Sequence, residues 1–541
     1  LNSGSSVSSA GNITIQGNSS TNGMGVNMAA GSSVTSSGAN ATISISSNNL
    51  MVHSGAITTT NSTGTGTNIN LTAATGGITG GGTIGNSTNK NASVSMSTAT
   101  TGSFSGGINA LNFTKAGAGT LTLDSWAQPT PVMTNVSNSY NINAGRLNLN
   151  TGSNYYTVRT STININNATT FGVTGGNGTW DGNTFVFDSG GGGTIVWTNN
   201  PIMNVGTAPL TFRTNGGNTN TINGYFNMNV GTGITFDVMD ASTASNPGLL
   251  LSGTGNGFAN SWSAVITKTG TGLLRAMNNL QTPTLNVNAG TWEFGDGSTG
   301  AGSYSVTTGN VANYNIASGA TLSFNTPSAV TMDNPSTTFA GAGTIVKKGA
   351  GALQWGTGAA TFNLSTGSLI DVQGGTFVGS SSANEVWSSN NSSLNIASGA
   401  TFRTIEGQIQ VDALNGAGSL VLGTTSSAYT SRMTVGVQGG SGSFSGAISN
   451  IASFNNGTFY KVGTGTQSLT GTNTYTGATT VSGGTLQVTN IGSFYSNAIA
   501  IGSGAVFEAN VATNTNYSAS TAVSGAGTFR KTGSAGLSIT T

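Results

Sequence analysis

The chain has 541 residues, of which only 5% are charged: 14 Lys+Arg against 13 Asp+Glu, a formal net charge of +1, with one histidine and no cysteine. This composition excludes disulfide staples, a basic stripe for nucleic acid, and any triad or metal site needing several histidines. A flexible Gly/Ser/Thr linker is disfavoured as well, because hydrophobic residues reach 35% and recur in alternation. In chain order the alternation reads "NITI" (Ile13, Ile15), "ISIS" (Ile43, Ile45), "NINL" (Ile69, Leu71) and "SVSM" (Val94, Met96). It continues as "TLTL" (Leu121, Leu123), "RLNLN" (Leu147, Leu149), "TLNVN" (Leu285, Val287) and "TLSF" (Leu322, Phe324). Apolar residues two apart share one face of a strand, while Thr, Ser and Asn take the other. Gly, Asn and Ser clusters bound each short strand and supply its turns. No stretch carries the apolar spacing of a helix, so the chain is predicted to be all-β.

The strands are ordered by a repeat. Five places carry an apolar residue, then Lys two positions on, then Gly after two more: Phe113/Lys115/Gly117, Ile266/Lys268/Gly270, Ile345/Lys347/Gly349, Phe459/Lys461/Gly463 and Phe529/Lys531/Gly533. A second element follows the first four, as "AGRLNL" at Gly145, "AGTWEF" at Gly290, "GGTFV" at Gly375 and "GGTLQV" at Gly484. A third, "IASGATLSF" from Ile316, returns as "IASGATF" at Ile396 and "IGSGAVF" at Ile501. Ile316 and Ile396 are 80 residues apart, close to four solenoid units of roughly twenty. Coils of that length predict about 27 of them and, at about 4.8 Å each, a rod of roughly 130 Å. The repeat lysines are expected at equivalent corners in a structural role, stem over an apolar neighbour and ammonium in water.

The stretch "KVGTGTQSLTGTNTYTGATTVSGGTLQV", Lys461 to Val488, resembles the passenger-associated transport repeat of bacterial autotransporters. The stretches from Lys115, Lys268 and Lys347 resemble it in part. The resemblance covers residues 102–541 clearly and 1–101 loosely, giving a loosely repeated Ser/Thr/Asn-rich segment followed by repeat-bearing coils in one continuous solenoid. It implies a right-handed parallel β-helix displayed on, or released from, the surface of a Gram-negative bacterium. The strand pattern alone also allows a sandwich or a propeller. The start lacks a signal-peptide pattern, no apolar run of about twenty residues is present, and the family's C-terminal barrel is missing. That reads as a trimmed passenger or a segment of a longer repeat protein.

Chemistry is sparse. The closest carboxylate pairs are Asp237/Asp240, Glu293/Asp296 and Asp181/Asp188, and strand positions three apart face opposite ways. The calcium-binding nonapeptide is absent, although "GNGTWDGNTF" around Asp181 is faintly similar to it. His53 reads as a surface residue. Tyr155, Tyr156 and Trp387 read either as glycan contacts or as shields of a thin core. The expected function is an extracellular structural or adhesive protein without catalysis, cofactor or metal. It is expected to self-associate end to end or laterally, to contact glycans or cell surfaces, and to avoid nucleic acid. The alternatives are a monomeric surface adhesin or a polysaccharide-binding or polysaccharide-degrading β-helix enzyme, with ice binding a weaker third.

Overall fold

In the computed structural model the chain clusters into two compact units, Leu1–Leu274 and Arg275–Thr541. The structure describes the chain apart from residues 19–22, 60–67, 87–92, 125–135, 153–155, 160–161, 167, 176, 189–191, 199–201, 206–207, 216–217, 225–226, 229–232, 240–245, 253–264, 278–279, 299–309, 333–336, 356–359, 381–386, 406, 425–430, 452–456, 490, 519–521 and 541.

In the first unit three short strands make one coil. The strands Ser6–Ser9, Ile13–Gly17 and Met24–Met28 are followed by Ser33–Ser36, Ile43–Ser47 and Leu50–His53. Each pairs in parallel with its counterpart one coil on: Val7 with Val34, Ile13 with Ile43, Met28 with His53. The chain is therefore a parallel β-solenoid, and strand alternation turns into columns. One column runs through Val94, Phe113, Tyr140, Ile163, Phe185, Phe212 and Phe236. All seven are buried. The outward position beside it carries Thr162, Thr184, Thr211, Thr235 and Thr267 in successive coils, each half-buried. β-Branched Thr suits that place because its methyl packs on neighbouring strands and its hydroxyl meets water. Asn also stacks: Asn164 donates to Asn141 and Asn166 to Asn143, both at 2.7 Å.

The second unit repeats the plan. Leu322, Ile345, Ile370, Leu394 and Leu414 form one inward column, and Tyr314, Phe339 and Phe362 another. Among the described residues the one helical element is a single 3-10 turn, Ile491–Ser493, and no helix is long and apolar enough to cross a membrane.

Register runs on past residue 101, since Ser93–Thr98 pairs with Ile108–Ala116 and Gly102–Phe104 with Thr120–Asp124. One expectation is adjusted: coil length is not fixed near twenty, since Ile13 to Ile43 spans 30 residues and Val94 to Phe113 spans 19. Most coils are longer than twenty because insertions at the corners leave the strand pairing intact, so the coils number fewer than 27.

Candidate functional site

The five repeat lysines end strands and face inward. Lys115 stacks between Met96 and Ile142, Lys347 between Phe324 and Val372, and Lys461 between Val435 and Val481. Lys268 lies on Phe236, and Lys531 on Ala509. The apolar stem contact therefore holds, but the placement of the ammonium in water is corrected: Lys115, Lys268, Lys347 and Lys461 are fully buried. From the core each stem reaches the corner that follows it. Lys115 Nζ donates to Ala116 O at 2.6 Å, Gly117 O at 2.7 Å and Ala144 O at 3.2 Å. Lys461 repeats this with Val462 O at 2.6 Å, Gly463 O at 3.0 Å and Gly483 O at 3.2 Å. Lys347 donates to Lys348 O, Gly349 O and Gly374 O, and Lys268 to Thr269 O and Gly270 O. Lys531, on an exposed corner, donates to Gly533 O at 2.9 Å.

The glycines complete the device. The one two places after each Lys has φ between +65° and +83°, and Gly145, Gly290, Gly375 and Gly484 have φ between +58° and +67°. A left-handed corner turns carbonyls inward, where the ammonium collects them. Gly145, Gly375 and Gly484 also lie against carbonyls one coil back: a Cβ there would stand 2.4 Å from Gly119 O, 2.3 Å from Gly351 O and 2.3 Å from Gly465 O. The two halves of the repeat, far apart in sequence, are thus one corner and the corner stacked on it.

Its placement is corrected in one respect. In the second unit Lys347 and Lys531 belong to one strand stack and Lys461 to another, rather than to a single corner. Drift in coil length carries the same local device to a different corner.

Burial pushes the Lys115, Lys268 and Lys347 ammonium groups from 10.5 down to about 8. For Lys268, Asp237 opposes that shift. Burial lowers Lys461 as well, with Asp412 opposing. A folded pKa below the unfolded one means that the unfolded chain holds more protons between pH 8 and 10.5, so stability rises across that window. Lys347→Met should flatten part of that rise. At neutral pH it should cost about 2 kcal/mol, because three half-buried carbonyls lose their donor. Lys531→Met should change stability by less than about 0.5 kcal/mol. Denaturant titration of both variants at pH 7 and pH 10 checks this, and equal effects would refute the corner role.

Among the described residues the carboxylates are not brought together as acid–base pairs. Asp237 holds Arg213 at 2.9 Å and accepts from Thr269 Oγ1 at 3.0 Å. Its sequence neighbour Asp240 lies outside the described residues, as do Tyr155 and the side chain of Tyr156. Asp181 and Asp188 end strands of two different stacks. Asp296 caps a turn through Ser298 N at 2.8 Å. Glu293 is different: 1% exposed, it takes Arg275 Nη2 at 2.6 Å, Lys348 Nζ at 3.0 Å and Ser323 Oγ at 3.1 Å. Sequence reasoning missed this cluster, whose members meet only through coil register. Glu508 forms a similar ladder with Gln487, Thr532 and Arg530, and the three donors lower its pKa against the opposing effect of burial. A polar notch of about 30 Å³, the scale of a bound water, lies among Ser388, Gln408, Gln410, Arg432 and Thr434. The Arg432 guanidinium carbon sits 5.2 Å from the centre of the Tyr460 ring.

The lysine corners also coincide with a known repeat. The family model for the passenger-associated-transport-repeat matches residues 113–141 and 459–488, the segments that contain Lys115 and Lys461 with the corners they fasten. The chain carries passenger-associated transport repeats. Together with the parallel solenoid, they fit an autotransporter passenger β-helix. No curated protein and no solved structure matches the chain. Burial decides two remaining expectations, selecting core shielding for Trp387 and correcting the surface reading of His53. Trp387 is fully buried, stacked 4.0 Å from Phe362 with its Nε1 donating to Gly379 O at 2.9 Å, and so offers no face to a glycan. His53 is not a surface residue, because it is 1% exposed in the core of the first unit.

Proposed function

We propose that the chain is a secreted or surface-displayed passenger that works as a non-catalytic structural or adhesive solenoid. The use of its few charges carries the reading: lysines are spent on corners, and Glu293, Glu508 and Asp237 on internal pairs, rather than converging on a cleft. The notch beside Arg432 and Tyr460 is the candidate for contact with a glycan hydroxyl. We also propose self-association. A net charge of +1 gives little long-range repulsion between copies, and the partner proposed is a second copy of this chain. Electron microscopy of the purified chain should show concentration-dependent filaments, and monodisperse particles at every concentration would leave a monomeric adhesin.

One observation favours an enzyme: the buried Glu293 with two cations and a hydroxyl beside it. A screen against neutral and uronate polysaccharides should find no turnover. Turnover abolished by Glu293→Gln or Asp237→Asn would replace the structural reading.

A further inference from the structure

The single histidine of the chain lies in the core of the first unit. His53 ends the strand Leu50–His53, opposite Met28 one coil back. One coil on, Gly80 approaches so closely that a Cβ there would stand 1.9 Å from His53 O. With no side chain at Gly80, the ring of Phe104, paired with Gly80 in the next coil, reaches across and stacks on the imidazole, with centroids 5.8 Å apart and planes 10° apart. Gly82 closes the other side: a Cβ on it would stand 2.8 Å from His53 Nε2. Neither ring nitrogen makes a hydrogen bond of normal geometry. An aliphatic residue would fill this slot without a polar atom to satisfy, as Met28 does one coil back.

Among the described residues no acidic side chain compensates a charge on that ring. The strands packed around it, Met24–Met28, Ile43–Ser47, Ala56–Thr59, Ile78–Gly80, Thr83–Gly85 and Gly102–Phe104, contain no other titratable side chain. The Leu1 amino group, on Asn27 O at 2.9 Å, is exposed and of the wrong sign. No Asp or Glu occurs in the sequence before Asp124.

We propose that His53 is an acid-triggered release point for the coils between Met24 and Phe104: its protonation places an unpaired charge in their core and opens them locally. The imidazole is neutral at neutral pH, so these coils close over it at no electrostatic cost. Burial lowers its pKa from 6.5 to about 4, offset only in part by the Thr83 backbone. With the folded value below the unfolded one, the open state binds more protons between pH 6.5 and 4. Protection is therefore complete above pH 6.5 and lost as the pH falls towards 4. The shift corresponds to a roughly 300-fold change in the opening equilibrium across the window.

Because there is one histidine, chain labelled with 13C at the imidazole gives one titrating signal. The experiment follows that signal from pH 7 to 3.5, alongside hydrogen exchange corrected for intrinsic rate, in the unaltered chain and in His53→Phe and His53→Leu. The expected result is an imidazole titrating near 4 or opening first. Protection in Met24–Met28, Leu50–His53, Ile78–Gly80 and Gly102–Phe104 should fall at least tenfold between pH 6.5 and 4, and either variant that folds should stay flat. An imidazole titrating between 6 and 7 while protection persists would overturn the proposal. So would variants that lose protection as the unaltered chain does.

Discussion

Alanine at Gly463 is expected to destabilise the second unit by about 3 kcal/mol or more, several times the cost of alanine at Gly504. Both glycines are left-handed, with φ of +65° and +77°, so both substitutions carry the backbone cost of roughly 1 kcal/mol for an L residue there. Their surroundings differ. A Cβ on Gly504 meets nothing within 4 Å, whereas one on Gly463 would stand 2.0 Å from Gly436 O and 3.0 Å from Gly439 Cα. Those atoms are backbone of the preceding coil, so the clash is relieved only by parting two coils already joined through Val462 N to Val435 O at 2.9 Å. Moving Gly463 also disturbs its own carbonyl, which accepts from Lys461 Nζ at 3.0 Å. Denaturant unfolding of the two variants separates strain from close approach, and equal losses would mean that the corner does not depend on coil contact.

The columns of the fold were legible because strand parity is local: Ile43 and Ile45, or Leu121 and Leu123, declare a shared face without knowledge of their partners. The same parity held the answer for the lysines. Phe113 and Lys115 are two apart in one strand, as are Ile345 and Lys347, and Phe459 and Lys461, so each Lys had to share the inward face of its apolar neighbour. The expected stem over an apolar neighbour holds, and only the ammonium differs, since it meets corner carbonyls rather than water. The corner carbonyls that make burial tolerable come partly from the next coil and are not visible along the strand. His53 was read as a surface residue against the same parity, two residues after the buried Met51. Glu293 had no such local signal. It lies between the inward Trp292 and Phe294, on the outward parity, and is buried through Arg275, Ser323 and Lys348 of other coils. Which coils supply those partners depends on corner insertions, whose lengths the strand pattern does not set. That variability also moved Lys461 to a different stack from Lys347.

Phe339→Ala is expected to produce the largest loss among core positions, about 3–5 kcal/mol. Phe339 is 1% exposed and sits mid-column, with Tyr314 stacked 4.8 Å below it and Phe362 4.9 Å above; Phe362 in turn stacks 4.0 Å from Trp387. In a globular core, side chains from several directions could shift into the space left by the ring. Here strand pairing of Thr338 with Asn313 and Thr361 fixes the coils above and below, so the cavity stays open. Phe339→Leu, which keeps most of the volume, should lose under about 1.5 kcal/mol. Coils contact chiefly their neighbours, so the damage should be local. Hydrogen exchange should accelerate in Asn310–Ile316 and Thr361–Leu364 while Thr485–Val488 keeps its protection. A uniform loss of protection throughout the second unit would instead show that its coils unfold as one cooperative block. The stability of the solenoid would then reside in the whole unit rather than in contacts between adjacent coils.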